Sequence, residues 1–213
     1  MQINIDKKTG VLAGIIFVLL FAVSTLAMPY INGRGDTNGM MGMHNSRVSA
    51  NSSFSSFAGN EIMFFQMMIP HHQQAVDISD LALRTSKDSE LLALAKAIRD
   101  GQASEIVEMR DWLSSGRAGR ESGHGMGSGM GGMLSDVELQ ILQGLSGDAF
   151  DIYWLQGMIV HHEGALHMIL MIQDSSNSEV STLARKIESV QTAQIEQMKK
   201  MLNKRGVTQY FIA

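Results

Sequence analysis

The chain has 213 residues, 45% of them hydrophobic, with a formal net charge of −4, seventeen methionines and no cysteine. That is enough apolar content for one domain with a core plus an appendage. The mild acidity and the lack of any basic run exclude nucleic acid as a partner, and two prolines with little strand-like alternation point to an all-α protein.

Residues 1–31 read as a membrane anchor or signal segment. Val11 to Met28 is uncharged and mostly apolar, and it follows Lys7 and Lys8. At 1.5 Å per residue it reaches roughly 27 Å, near the hydrocarbon thickness of a bilayer. The two lysines favour a cytoplasmic N-terminus, with everything after Pro29 outside. Thr25-Leu26-Ala27 loosely resembles a cleavage site, so an uncleaved anchor and secretion after cleavage both stay open. Either way the domain is expected to be extracytoplasmic, periplasmic or at the cell surface. An oxidising compartment fits the use of thioethers instead of thiols as soft ligands.

Residues 32–56 are rich in Gly, Asn, Ser and Met and read as a flexible linker. The folded domain is expected over 57–206. A first helix runs from Phe57 to about Thr85, and Ser86-Lys87-Asp88-Ser89 makes a turn. Asp88 caps a second helix from about Ser89 to Leu113. A Met/Gly-rich loop spans 114–134, and Ser135 with Glu138 has the spacing of a capping box that opens a short helix. Gly144 to Gly147 interrupts it. Asp148 is expected to cap the next long helix, to about Gln173, and Ser176 with Glu179 to begin the last.

One phrase occurs twice. Gln66-Met67-Met68-Ile69-Pro70-His71-His72-Gln73-Gln74-Ala75 returns as Gln156-Gly157-Met158-Ile159-Val160-His161-His162-Glu163-Gly164-Ala165. The repetition continues, because Leu94-Ala95, Ile98, Gln102, Ile106, Met109 and Leu113 match Leu183-Ala184, Ile187, Gln191, Ile195, Met198 and Leu202. The repeats, 57–113 and 148–203, are therefore two helical hairpins. Neither buries its apolar face alone, and together they make a four-helix bundle.

Each phrase sets a Met one turn before a His pair, on the same helix face. Sulfur beside imidazole suits a soft ion, copper(I) or silver(I). Adjacent His residues stand about 100° apart around a helix, so the two of a pair cannot aim at one point. His167 and Met168 add a nitrogen and a sulfur further along the second copy. Pro70 removes a helical hydrogen bond beside the first pair and is expected to loosen the backbone there. In the second helix Leu91, Ala95, Ile98, Gln102, Glu105, Met109 and Trp112 form a core-facing stripe. Gln102 and Glu105, and likewise Gln191 and Gln194, are polar groups on an apolar seam. They are expected to hold the imidazoles through the ring nitrogen turned away from a metal. Ligation by imidazole should weaken as pH falls through about 6.5. The competing reading is a hydrogen-bonded core network that pins the register of the bundle.

Two loops carry the same chemistry. Met40, Met41, Met43 and His44, and His124, Met126, Met130 and Met133, lie in Gly-rich stretches with no core to fill. Exposed Met is apolar and oxidisable, so these loops are read as capturing soft metal.

The doubled Met-Ile-x-His-His-x-x-Ala phrase, each followed by Gln-x-x-[Glu/Gln]-Ile-x-x-Met, resembles domain of unknown function 305 over roughly Phe57 to Leu202. That resemblance implies a ferritin-like four-helix bundle and an extracytoplasmic copper-binding protein. It implies metal binding by Met68, His71, His72, Met109, Met158, His161, His162, Met168 and Met198. Two departures stand out: Ile78 where the family pattern has Met, and Gln194 where Glu105 has its carboxylate counterpart.

The expected function is copper(I) or silver(I) sequestration, transfer or resistance, without catalysis and without an organic cofactor. A homodimer through an apolar face and a metal-transfer partner stay open. The alternatives are a ferritin-like di-iron oxidase and a metal-free, membrane-anchored structural or interaction module. The oxidase is disfavoured because no Glu-x-x-His pair occurs and Gln194 breaks the carboxylate symmetry.

Overall fold

The computed structural model describes residues 56–115 and 131–210. The expected anchor, the linker with Met40, Met41, Met43 and His44, and the loop residues His124, Met126 and Met130 lie outside them. The described residues are all-helical, and no helix among them is long and apolar enough to cross a membrane. Four long helices, α1 (Gly59–Thr85), α2 (Ser89–Ser114), α4 (Gly147–Ile169) and α5 (Ser178–Lys204), are joined by a short α3 (Asp136–Gly144) and a 3-10 turn at Leu170–Ile172.

Local chemistry sets most of the boundaries. Asp88 accepts from the backbone N–H groups of Glu90 and Leu91 and starts α2. Ser135 and Glu138 form a reciprocal capping box on α3. Two expected starts are corrected. Asn177, not Ser176, caps α5 by accepting from Glu179 and Val180. Helix α4 begins at Gly147, after Ser146, so Asp148 lies inside the helix and is not its cap. Gly147 has φ 59°, which suits a residue without Cβ at the break between α3 and α4. Pro70 does not end or interrupt α1, which continues as helix for fifteen residues beyond it, to Thr85.

The sequential pairs α1–α2 and α4–α5 pack against one another, and α1 packs on α4. Two apolar clusters result. One joins Ala75–Ala82 of α1 and Leu91–Ile98 of α2 to Phe150–Ile159 of α4 and Ile195–Leu202 of α5. The other joins Phe57–Met68, Met109, Ala165–Ile172 and Val180–Ile187. Helix α1 therefore runs from the second cluster to the first and α4 from the first to the second, so the two His-bearing helices are antiparallel. The Trp154 indole N–H donates to the Ile78 carbonyl at 3.0 Å and ties α4 to α1. At the opposite end buried Glu61 accepts from the Ala58 N–H at 2.8 Å and from the Ser175 hydroxyl.

The end of the loop, residues 131–134, is clamped between the two His helices. The Gln74 amide grips Leu134 at both its N–H and its C=O, each at 2.8 Å. On the other side Gly164 lets the loop in: a Cβ there would stand 1.8 Å from the Gly131 oxygen and 2.9 Å from the Gly132 Cα. Gly164→Ala is therefore expected to push the loop end out and lower the midpoint of thermal unfolding by about 3–10 °C, the usual cost of overpacking. Gly59→Ala, where a Cβ meets nothing within 4 Å, should leave the midpoint nearly unchanged. Circular dichroism melts of the two variants decide this, and equal midpoints would refute the clamp.

Candidate metal centre

Between the two apolar clusters lies a polar layer. On every long helix the turns that separate the clusters carry the polar residues: His71 and His72, Gln102 and Glu105, His161 and His162, Gln191 and Gln194. All four imidazoles are completely buried. His71 and His161, matched positions of the two repeats, stack across the middle with ring centroids 3.8 Å apart and an interplanar angle of 37°. The partners within each pair are further apart, at 6.4 Å for His71–His72 and 6.3 Å for His161–His162. The sum of these positions is an antiparallel arrangement in which like residues meet near the centre and the His72 and His162 rings lie outward of the stack, towards α2 and α5.

Hydrogen bonds to fixed acceptors choose the tautomers. His72 donates through Nε2 to Glu105 Oε2 at 2.9 Å, and His162 donates through Nε2 to Gln194 Oε1 at 2.8 Å. His71 donates through Nε2 to the Gly131 carbonyl at 3.3 Å. A neutral imidazole that donates at Nε2 carries its lone pair at Nδ1. The Nδ1 atoms of His71, His72 and His162 are buried and without a partner. His161 makes no hydrogen bond of ordinary geometry from either nitrogen, although the His71 backbone lies near enough to favour its protonated form slightly. Unpartnered buried polar atoms are uncommon, and each costs on the order of 1–3 kcal/mol.

Burial keeps His71, His161 and His162 unprotonated. Burial, and then the neighbouring His72, lowers His71 to about 3. Burial also lowers His162 to about 4, against the opposing hydrogen bond to Gln194, and puts His161 well below its ordinary value. Burial would raise the Glu105 carboxyl, but the hydrogen bond from His72 and the nearby Lys186, 3.3 Å away, outweigh it and hold Glu105 below its ordinary value.

The thioethers divide between the clusters. Met68, Met109 and Met168 line one side of the polar layer, Met158 and Met198 the other, and all five are buried. Met133 is half-buried at the clamped loop end. His167 is a correction: it is exposed and bonds through Nδ1 to its own helix, at the Glu163 carbonyl 2.9 Å away. The face of α4 that it shares with Glu163 is turned to solvent. Gln102 and Gln191 are buried, yet their amides bond neither the imidazoles nor anything else. Among the described residues no three His, Asp or Glu side chains gather closely enough to hold a metal.

Sequence reasoning overlooked Gly131, Gly164 and Lys186. A signal for Gly164 was present. The repeated phrases differ at matched positions Gln74 and Gly164, and those are the two positions on which the loop lands.

The model of the family described as domain of unknown function (DUF305) matches residues 61–202. A comparison with curated proteins found no match. Among solved structures, a DUF305 protein of Streptomyces coelicolor described as a candidate secreted protein is 32% identical, with a TM-score of 0.64, over 70% of this chain and 93% of its own. A DUF305 fragment from Deinococcus radiodurans is also 32% identical, with a TM-score of 0.63, over 69% of this chain and 97% of its own. CopM in a Cu(I)-bound form is 29% identical, with a TM-score of 0.57, over 68% of this chain and 96% of its own; it has also been solved with Cu(II) and with silver.

The depressed basicity of the layer makes the metal-free fold acid-sensitive. Unfolded imidazoles take up protons below about pH 6.5, whereas His71, His161 and His162 in the fold do not, so the unfolded state binds more protons and stability falls with pH. The loss should begin near pH 6.5 and continue below pH 4, since His162 is held at about 4 and His71 at about 3 in the fold, at up to about 1.4 kcal/mol per pH unit for each imidazole. Urea unfolding at pH 7.5, 6.0 and 5.0 should show a midpoint that drops at each step. A constant midpoint would mean that these rings are not buried neutral.

Proposed function

The chain belongs to the DUF305 family, and on that premise we propose that it is an extracytoplasmic binding protein for copper(I), or silver(I), which uses the Met and His side chains of a ferritin-like bundle of two repeated hairpins. The ion is cargo for sequestration, transfer or resistance, and the protein is a binder, not a catalyst. The N-terminal segment anchors it to the membrane or directs its export. The Met-rich segments on either side of α1 and α2 collect ions for the bundle.

One observation carries this reading: buried, neutral imidazoles whose Nδ1 lone pairs have no hydrogen-bond partner, set between layers of buried thioethers. Thioether is a soft ligand that favours a soft monovalent ion over zinc or iron, and neutral imidazole, a borderline ligand, accepts copper alongside it. The donor supply also runs against a di-iron site. Glu105 is the one carboxylate of the polar layer, its oxygens engage His72 and Lys186, and such sites want four carboxylates. CopM, of the same helical architecture, has been solved with copper and with silver.

The Nε2–H bonds from His72 and His162 to Glu105 and Gln194 give the outer imidazoles a fixed orientation, the usual role of a group behind a metal ligand. Burial moves proton competition to lower pH than the ordinary imidazole value suggests. Since His162 is held down to about 4, affinity should persist through pH 5 instead of fading near 6.5.

Anaerobic copper(I) titration of the exported domain against a strong chelator tests the proposal, with mass spectrometry to count ions. The wild type should bind with little change in affinity between pH 7.5 and 5. The double variant His72→Gln/His162→Gln should lose at least tenfold in affinity, since removing a group that merely supports a ligand already costs 10–100-fold. Met68→Leu/Met158→Leu should weaken binding while keeping the core volume. Retained affinity with lowered stability in the histidine variant would instead make His72 and His162 members of a hydrogen-bonded core network and not ligands.

A further inference from the structure

One set of soft donors lies outside the polar layer, along the surface groove between α1 and α4. Gln74 on α1 and Gly164 on α4 are the positions on which the loop end rests, so they mark the loop-bearing side of that groove. Helical spacing carries the same two faces towards the other end of the groove. Met67 and Met63 lie about two and three turns before Gln74, and His167 and Met171 lie about one and two turns after Gly164. Two contacts set the levels: His71 stacks on His161, and the Asn60 amide donates to the Met171 carbonyl at 2.9 Å. Because α1 and α4 are antiparallel, His167 stands at a height between Met63 and Met67. Met171 stands beyond Met63, beside the turn of α1 that carries Asn60.

Core packing does not account for this set. Met63 is 45% exposed, at a position where its apolar, oxidisable side chain fills no core. Met67 and Met171 are half-buried and pack against the edge of the second apolar cluster, which steadies them at the rim of the groove. His167 is exposed, but its ring is not free to turn, because its Nδ1–H donates to the Glu163 carbonyl at 2.9 Å. That bond leaves the lone pair of the neutral ring on Nε2, the solvent side. An imidazole held at one nitrogen by a backbone carbonyl, with the other nitrogen open, is the usual posture of a metal ligand. Three thioethers and one imidazole, with no thiolate, match copper(I) or silver(I) and suit zinc, iron or calcium poorly.

We propose that Met63, Met67, His167 and Met171 form a second, surface site for one soft monovalent cation, in the α1–α4 groove and separate from the buried layer. His167 binds through Nε2 and the methionines through sulfur. Met68 and Met168, the neighbours in sequence of Met67 and His167, are buried below and line the polar layer, so the surface site lies over the thioethers of the buried one. The proposal takes its class of ion from the copper-binding reading. Its ligands are different residues, so the two fail separately.

The test titrates the full-length protein in detergent with silver(I) and follows the methionine ε-methyl groups and the histidine ring nitrogens by NMR. The ε-methyl signals of Met63, Met67 and Met171 and the Nε2 signal of His167 should move together, while the His167 Nδ1 proton stays in place. They should move in the same way in His72→Gln/His162→Gln, whose surface site is intact. The variant Met63→Leu/His167→Gln/Met171→Leu should bind one ion fewer by native mass spectrometry, with a thermal midpoint close to that of the wild type because its polar layer is untouched. A His167 Nε2 signal indifferent to silver, methionine signals that move at different equivalents, or an unchanged ion count in the triple variant would overturn the proposal. Surface signals that respond while the buried Nδ1 atoms do not would support it and refute ligation by the layer. A wild type in which only the buried imidazoles respond would overturn the surface site and leave the copper-binding reading standing.

Discussion

Four imidazoles placed in the middle of a helical core are the constraint from which the rest of this structure follows. Polar groups without partners are costly to bury, so the fold gives most of the rings one hydrogen bond each, to Glu105, Gln194 or the Gly131 carbonyl. It supplies nothing for the other nitrogens. Large apolar clusters above and below, centred on Trp154, Phe150 and Leu91 on one side and on Phe64, Phe65 and Ile187 on the other, offset the expense. The half-satisfied layer is then the least comfortable part of the molecule and the part most able to gain from a bound ion.

Duplication makes the layer economical. Because α1 and α4 run antiparallel, one short phrase used twice supplies both halves, and His71 meets its counterpart His161 at 3.8 Å. The two copies differ where the loop end docks: Gln74 holds it by two hydrogen bonds, and the matched Gly164 leaves room for it. Glu105 and Gln194 are the other divergence. One outer imidazole faces a carboxylate that Lys186 partly neutralises, and the other faces an uncharged amide. The two halves therefore present different charge to an incoming cation.

Helix order and the core stripe of α2 were readable because they rest on local periodicity and on turn residues such as Asp88. The helix starts at Asn177 and Gly147 were less so, because adjacent residues such as Ser176, Asn177 and Ser178 offer equivalent side-chain chemistry. The partnership of Glu105 with His72 could be anticipated from a polar residue on an apolar seam. The same reasoning failed for Gln102, which lies three residues before Glu105 on α2 and faces a crevice instead of a ring. His167 looked equivalent to the other histidines in sequence, but α4 turns that face to solvent. The mutual stacking of His71 and His161 was invisible, since it depends on the crossing of two helices ninety residues apart.

Nitrogen-15 NMR of the imidazoles, before and after silver(I) loading, reads the central claim most directly. In the metal-free domain His71 and His162 should be neutral with the proton on Nε2, His72 should hold a proton on Nε2 towards Glu105, and loading should perturb the Nδ1 resonances of His72 and His162 while leaving their Nε2 protons in place. Rings that carry the proton on Nδ1, or Nδ1 signals indifferent to silver, would contradict the account.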